Sequence, residues 1–330
     1  MQQKQLDFTA AGVAVAIVNF NTRDLLERCL HSILPEHPAE IVVIDNASPD
    51  DSADLVRRLF PQVRLIANAA NVGYGAAVNQ AIHASSAPLV LVLNADTELM
   101  PGCISALAAC AHAPRAGIVA PEIVNKRGEW EPSVFPFPGT MGWLLENAPF
   151  AHLVRRIAPL LRRSVSLRPI ESARRVPWVM GCAMLLRREF MTVINGFDEA
   201  FFMYFEEVDL CRRAADAGWE VHFEPRAVVM HVGGASTGQQ KTVMTVRHFE
   251  STMRYYHRYF SGARLTFWVA ALRLKRFAMI ARDTVHLLVE RNPAMRQRLR
   301  ERRRAWMRSL EVVEPPSRVA GVRVGSQQAS

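Results

Sequence analysis

Short apolar runs rich in branched residues alternate with amphipathic segments over the first two thirds of the chain. The apolar runs predict strands at residues 13–18, 40–45, 63–66 and 89–93. The amphipathic segments between them predict helices at residues 24–34, 52–59 and 75–84. Apolar strands separated by helices are typical of a sheet covered on both faces. The predicted fold class is α/β, with a Rossmann-like, mostly parallel sheet and helices on both faces.

Polar residues follow each of the four predicted strands. They are Asn19 and Asn21, Asp45 and Asn46, Asn68 and Asn71, and Asn94 and Asp96. Because sheets of this kind bind ligands beyond the carboxyl ends of their strands, these residues predict a binding site at one sheet edge. The alternative is that they serve the turns, which also favour Asn and Asp.

Three carboxylates, Glu206, Glu207 and Asp209, follow the bulky residues 201–205 at the predicted start of a helix that ends at Gly218. Acids in the first turn of a helix are stabilised by its dipole, which is the simpler explanation. Carboxylates beside large apolar side chains are also costly to bury and are frequent at reactive sites. We predict that one of them removes a proton from a substrate hydroxyl.

The pattern changes between residues 135 and 175, where aromatic, proline and arginine residues predict an insertion on the acceptor or membrane side. A solvated surface lobe is the alternative explanation. Residues 178–186 then have the apolar character of a buried strand. These segments complete a predicted first domain, residues 1–236.

Residues 237–312 predict a basic, amphipathic helical extension, followed by a disordered tail at 313–330. The apolar stretch at 265–272 is too short to span a bilayer, for which roughly 20 residues are needed. Its mixture of apolar and basic residues suits a helix lying in a lipid interface, and packing against the first domain is the alternative.

The composition narrows the possible partners. The net charge of +9 and pI near 9.8 over 330 residues favour an anionic partner. No nucleic-acid recognition motif is found, so we expect no nucleic acid. No signal peptide is evident. The cysteines lack the spacing of a disulfide framework or metal site and predict reduced thiols in the cytoplasm: Cys29, Cys103, Cys110, Cys182 and Cys211.

Four segments, in order, carry a resemblance to a known family. They are Ala16–Asn21 with Ile44–Ser48, Asn71–Asn79, Leu93–Thr97, and Gly196–Glu199 with the acidic run, closing at His231–Ser236. Together they resemble the family 2 glycosyltransferases of the GT-A fold, particularly the bacterial rhamnosyltransferase-like branch. Agreement of all four segments is much more specific than any one of them.

The resemblance implies a nucleotide-sugar site and a divalent metal, Mg²⁺ or Mn²⁺. The residues at the matching positions for the nucleotide-sugar are Asn19, Asn21, Asp45, Asn46, Ser48, Asn71, Gly73, Asn79, Asn94 and Asp96. Asp96 and His231 match metal ligands. The family's Asp-x-Asp motif is Asn94-Ala-Asp96 here, which removes one negative charge from the metal site.

The resemblance also implies the chemistry. Glu207 stands where relatives commonly have the aspartate base, Asp209 is the alternative base, and Glu206 is expected to orient the acceptor, with Trp178 and Gly181 on the acceptor side. A base of this type lets the acceptor hydroxyl attack the anomeric carbon in line and invert it. The implied reaction transfers a sugar, with L-rhamnose from dTDP-rhamnose as the leading candidate, to a lipid-linked saccharide in surface polysaccharide synthesis.

This function predicts a cytoplasmic protein at the inner face of a bacterial membrane, in contact with an anionic lipid surface, and a possible homo-oligomer. Two alternatives remain. Asn94 and Glu207 are also compatible with a non-catalytic, lipid-associated binding protein derived from a transferase. The glycines at Gly73 and Gly75 resemble a dinucleotide fingerprint, but they follow the third predicted strand, and Val78 stands at the third glycine position.

Overall fold

Ten strands of the α/β unit form one mixed sheet, and two more form a small separate sheet, within the residues that the computed structural model describes: 10–140, 169–234 and 241–312. The chain divides into two units, residues 1–240 and 241–330. The predicted boundary at 236 lies just before this division. Most of the predicted insertion, 141–168, and the predicted tail, 313–330, lie outside the described residues.

The elements of the first unit follow the predicted alternation. The strands are β1 Val13–Asn19, β2 Glu40–Asp45, β3 Arg64–Ala67, β4 Leu89–Asn94, β5 Thr97–Leu99, β6 Ala116–Val124, β7 Trp130–Glu131, β8 Val134–Phe135, β9 Arg174–Val176, β10 Trp178–Val179, β11 Ala183–Arg187 and β12 Glu220–His231. The α-helices are α1 Arg23–Ile33, α2 Ser52–Leu59, α3 Tyr74–Ala84, α4 Cys103–Cys110, α5 Arg188–Ile194 and α6 Glu206–Asp216.

The main sheet has the strand order β3-β2-β1-β4-β11-β6-β12-β5, with β7 on β6 and β9 on β12. The first four strands in this order are parallel to one another, and β12 is parallel to β6. β11 is antiparallel to both β4 and β6 and so joins the two parallel sets. The predicted α/β fold is confirmed, with an antiparallel strand at the middle of the sheet.

The sheet is covered on both faces because alternate residues of its strands point to opposite sides. In β1, Val15 and Ile17 pack into one apolar layer with α1, α2 and α4. Ala16 packs into the other layer, with α3, α5 and α6. These strand residues are buried almost completely, as expected for a sheet between two helical layers.

The segment predicted as one strand at 178–186 is divided into β10 and β11. The turn between them contains Gly181, whose carbonyl accepts a 2.9 Å hydrogen bond from the Tyr74 hydroxyl. β10 belongs to the small sheet and β11 to the main sheet. The local sequence does not show where the segment divides, because the Tyr74 contact is a tertiary one. The turn carries part of the candidate site.

The described part of the second unit, residues 241–312, contains three helices: α7 Lys241–Tyr259, α8 Gly262–Val289 and α9 Pro293–Leu310. Asp283 of α8 is fully buried and accepts hydrogen bonds from Arg302 and Trp306 of α9. This carboxylate therefore fastens α8 to α9. Among the described helices, none has the length and apolar character needed to cross a bilayer.

Candidate active site

The carboxyl ends of β1, β2 and β4 lie side by side, as the sequence predicted. Asn19 is in register with Asp45 of β2, and Asn94 is in register with Val18 from the other side of β1. The Asn94 carbonyl accepts from the Thr97 hydroxyl at 2.7 Å, which turns the chain sharply after β4. These three strand ends form one edge of the candidate site.

A hydrogen-bond network joins the loops after β1 and β2. The Asn19 amide donates to Asp45 Oδ1 at 2.9 Å and to the Ser48 hydroxyl at 3.0 Å. The backbone N–H of Ser48 donates to Asp45 Oδ2 at 3.0 Å, and that of Asn21 donates to the Ser48 hydroxyl at 2.9 Å. Each oxygen of a carboxylate can accept two hydrogen bonds, so Asp45 is fixed in place and keeps accepting capacity for a ligand N–H.

Asn46 braces the loop that follows β3. Its amide nitrogen donates to Asn71 Oδ1 at 2.9 Å and to the Gly73 carbonyl at 3.3 Å. Its oxygen accepts from the Asn68 side chain and the Val72 N–H, both at 3.1 Å. All four hydrogen-bonding positions of the amide are used. In the structure Asn46 holds the loop, and its nucleotide contact stays a prediction.

Gly73 occupies a position that only glycine fits. Its φ is +90°, and a Cβ atom there would lie 2.7 Å from the carbonyl oxygen of Phe202. The N–H of Tyr74 donates to the same carbonyl at 2.9 Å. The start of α3 is therefore held against the aromatic segment that precedes the acidic run.

Two successive residues with left-handed backbone dihedrals, Tyr204 and Phe205, precede α6, each with φ +67°. Aromatic residues rarely adopt this conformation, and it persists where the surroundings fix it, often at functional sites. α6 then begins at Glu206, the first carboxylate of the acidic run. Glu206 and Glu207 are thereby the first two residues of the helix.

Burial separates the acid–base properties of the two glutamates. Burial and the charge of Glu207 hold the pKa of Glu206 well above its usual value. Burial also raises the pKa of Glu207 to about 7, despite backbone hydrogen bonds that lower it. In each side chain, Oε2 has no hydrogen-bond partner among the described residues. Burial and the neighbouring charge thus oppose ionisation of Glu206, while a Glu207 pKa of about 7 suits a general base near neutral pH.

Asp209 does not share this environment. It is fully buried, and its Oδ2 accepts from Arg213 Nε at 2.7 Å. The same guanidinium donates to the carbonyls of Ile194 and Gly196, at 2.9 and 2.8 Å. A carboxylate enclosed in this way cannot reach a substrate hydroxyl, so the structure corrects the alternative assignment of Asp209 as the base. Asp209 instead helps hold the segment that leads into the acidic run.

Asn79 of α3 holds the same segment from the other side. Its amide nitrogen donates to the Phe197 carbonyl and to Glu199 Oε1, both at 3.0 Å, and its oxygen accepts from the Phe197 N–H at 2.9 Å. A Cβ atom at Gly196 would lie 2.6 Å from that oxygen. Asn79 therefore braces this segment, and its nucleotide contact stays a prediction.

Asp96 and His231 form a pair at the strand ends, with Asp96 Oδ1 3.3 Å from His231 Nε2. Burial opposes the charge of the imidazole, but hydrogen bonds to Asp96 and Cys182 raise the pKa of His231 to about 10. The N–H of Val232 donates to the Asp96 carbonyl at 3.0 Å, which fixes the two chain segments together. The two residues lie within reach of one cation.

The donor set fits a divalent cation that takes its other ligands from a substrate. A carboxylate oxygen and an imidazole nitrogen that has lost its proton are suitable for Mn²⁺ and acceptable for Mg²⁺. Among residues 10–140, 169–234 and 241–312, no group of three or more His, Cys, Asp or Glu side chains forms a complete metal site. Two protein ligands are typical where substrate phosphates complete the coordination.

Gly181 links the acidic run to the Asp96–His231 pair. A Cβ atom at Gly181 would lie 3.2 Å from Cβ of Glu207, so the two residues are in close contact. The next residue, Cys182, is hydrogen-bonded to His231. Burial and the charges of Glu206, Cys182, Glu207 and Asp96 raise the pKa of Tyr74 well above its usual value. Residues distant in sequence are thus grouped around Tyr74 and Gly181.

Trp178 stands at the rim of this group. Its ring stacks on Phe135, with 4.7 Å between ring centroids, and its Nε1 donates to the Pro136 carbonyl at 2.8 Å. The indole is partly exposed and rigidly held. Its acceptor contact remains a prediction.

Comparisons with known proteins identify the family of the chain. The family model "Glycosyl transferase family 2" matches residues 14–167. The chain is 34% identical over 318 residues to N-acetylglucosaminyl-diphospho-decaprenol L-rhamnosyltransferase of Mycobacterium tuberculosis, covering 91% of this chain and 97% of that protein. The chain belongs to glycosyl transferase family 2.

Two solved glycosyltransferases share the fold. GalNAc-T7 with UDP, GalNAc and Mn²⁺ has a TM-score of 0.51 at 19% identity, over 66% of this chain and 42% of that one. The mannosyltransferase PcManGT from Pyrobaculum calidifontis with GDP-Man and Mn²⁺ has a TM-score of 0.50 at 16% identity, over 90% and 84%. At these identities the similarity supports the GT-A-like fold alone.

Two residues that hold the candidate site of this family 2 glycosyltransferase together have little signal in the sequence. Tyr74 lies inside a recognised motif, but its hydroxyl contact with Gly181 depends on tertiary structure. Arg213 follows Asp209 by four residues, which is the only sequence signal for that ion pair. The NAD-binding alternative is wrong, since the chain is a glycosyltransferase and its Gly73 serves the contact with Phe202.

Proposed function

We propose that this glycosyltransferase is an inverting, metal-dependent enzyme in which Glu207 is the catalytic base. The observation that carries the proposal is the contact of Glu207 with Gly181. The residue after Gly181, Cys182, is hydrogen-bonded to His231, which in turn pairs with Asp96. This proximity supports one cleft that holds the diphosphate at Asp96 and the acceptor hydroxyl at Glu207. Asp45 and Asn19 lie at the strand ends where the nucleoside is expected.

In this mechanism Glu207 takes the proton of the acceptor hydroxyl as its oxygen bonds to the anomeric carbon. The bond from that carbon to the diphosphate oxygen breaks at the opposite side, so the configuration is inverted. Asp96 and His231 would hold a divalent cation, which when bound neutralises charge on the leaving diphosphate. Tyr74 keeps the Gly181 turn in place through its hydrogen bond. The raised pKa of Glu206 disfavours a second negative charge beside the base.

The proposed donor is a nucleotide-activated deoxyhexose, with dTDP-rhamnose first, and the proposed acceptor is a lipid-linked saccharide of surface polysaccharide synthesis. The mycobacterial relative named above, which the chain matches over nearly its whole length, supports both choices. A lipid-linked acceptor would bring the protein to the inner face of the cytoplasmic membrane. A homo-oligomer and the acceptor-side roles of Trp178 and Gly181 remain part of the proposal.

The test compares Glu207→Gln with Glu206→Gln. Glu207→Gln removes the base and should lower kcat by about 10²- to 10⁴-fold, with the donor Kd changed less than about threefold. Glu206→Gln should keep most activity, because burial and the charge of Glu207 oppose ionisation of Glu206 and glutamine resembles a neutral carboxyl. Release of nucleoside diphosphate, with and without Mn²⁺, measures turnover, and calorimetry measures donor binding. Full turnover in Glu207→Gln would overturn the assignment, and absence of turnover in the unaltered protein with every donor would favour a non-catalytic binding protein.

A further inference from the structure

Helix α8 has one face that is apolar and exposed along its whole length. The large residues on this face are between 55% and 80% exposed: Phe267, Leu274, Phe277, Val285 and Leu288. Together with Ala270 and Ala281 they recur at intervals of three or four residues, which places them in one line on a helix. We call this set the α8 stripe. At 28 residues the helix is about 42 Å long.

The charged residues of α8 are arranged around the stripe. Arg264, Lys275 and Arg282 lie along one side of it and Arg273 along the other, and all four are exposed. The only acidic residue in the helix sequence is Asp283, which is buried on the opposite side against Arg302 of α9. The exposed face therefore presents apolar side chains between cations, without an acidic residue of the helix beside them.

The basic residues of the sequence are concentrated in the helical unit. Residues 241–312 contain 17 lysines and arginines and 5 acidic residues, which is a formal net charge of +12. The rest of the chain contains 23 basic and 26 acidic residues. The positive charge of the protein thus belongs to the helical unit that carries the stripe.

From these observations we infer that α8 lies flat on an anionic lipid bilayer, with the α8 stripe in the interface and the flanking cations at the lipid headgroups. A helix of this kind buries its apolar face at the level of the acyl boundary, while long basic side chains reach the phosphates. A second copy of the chain fits less well, because two stripes in contact would bring four cations of each copy together. Binding needs no turnover, so it is independent of the proposed reaction.

The experiment measures cosedimentation of the full chain with vesicles of phosphatidylcholine alone or mixed with phosphatidylglycerol. We expect binding to the anionic vesicles that weakens with added salt. The double variant Leu274→Glu/Phe277→Glu should bind them at least about tenfold more weakly. The matched control is Leu59→Glu/Val193→Glu, which makes the same charge change at exposed apolar positions of α2 and α5 and should bind as the unaltered protein does.

A second variant separates the two contributions. Arg273→Gln/Lys275→Gln should weaken binding to anionic vesicles and leave binding to phosphatidylcholine unchanged. Thermal unfolding by circular dichroism checks that all variants fold. Three results would overturn the inference: an unaltered protein that stays in the supernatant, a stripe variant that binds normally, or a stripe variant that loses self-association in light scattering while its vesicle binding is unchanged.

Discussion

Glu206 and Glu207 are consecutive carboxylates in different surroundings. Glu206 is buried, and its pKa is raised well above the usual value by burial and by the charge of Glu207. Glu207 is partly exposed, and its pKa is raised only to about 7. The pair resembles other enzyme sites in which surroundings assign separate roles to adjacent acids. These surroundings support Glu207 as the proposed base.

This assignment predicts the pH dependence of the reaction. Because the base must be ionised, kcat/KM should be constant above the Glu207 pKa of about 7 and fall roughly tenfold per pH unit below it. The measurement is a pH profile with saturating Mn²⁺, and donor binding at each pH is the control. A profile that stays flat down to about pH 5 would show that the base has an ordinary glutamate pKa.

At the scale of elements, strands and helices were predictable where apolar residues recur in the sequence with the period of the element. The four predicted strands and three predicted helices of the first ninety residues correspond to β1–β4 and α1–α3 with end points within a residue or two. The turn at Gly181 was not predictable in the same way. It depends on a contact with Tyr74 of α3, which lies about a hundred residues away in sequence.

The residues of the candidate site also differ in how well the sequence predicts their roles. Asp96 and Glu207 were predicted as site residues because their types and positions match a family pattern. The bracing roles of Asn46, Asn79 and Asp209 were missed because a motif does not say whether a polar side chain faces a ligand or the protein. Their hydrogen-bond partners, such as the Phe197 backbone and the Arg213 guanidinium, come from folding.

The contact between α3 and the acidic segment makes a stability prediction. Gly73→Ala should lower the free energy of unfolding by at least about 3 kcal/mol, because a Cβ atom would meet the Phe202 carbonyl at 2.7 Å in addition to the unfavourable φ of +90°. Gly128→Ala is the matched control, since Gly128 has φ +74° and open space around it. It should cost only about 1 kcal/mol. Urea unfolding measures both, and equal losses would contradict the close approach.

At the scale of the whole molecule, the two units have different charge and different stabilising contacts. Asp283→Ala removes the hydrogen bonds that Arg302 and Trp306 donate and should lower the free energy of unfolding of the helical unit by about 2 kcal/mol. Glu301→Ala removes one exposed carboxylate from the same unit and should cost less than about 0.5 kcal/mol.

Circular dichroism in urea follows both variants, and the donor Kd provides the second readout. Because every described hydrogen bond of Asp283 lies within α8 and α9, donor affinity should be unchanged. A large loss of donor affinity in Asp283→Ala at a temperature where the protein is folded would show that the two units are coupled.

The central claim is that Asp96 and Glu207, distant in sequence, serve one bound diphosphate. The most direct measurement is the anomalous density of Mn²⁺ in crystals grown with the nucleoside diphosphate of the donor. The account predicts one strong peak about 2.0–2.3 Å from Asp96 and His231 atoms, bridged to the diphosphate, with the Glu207 carboxylate facing the same cleft. A peak elsewhere, or a diphosphate bound in a cleft that Glu207 does not face, would contradict it.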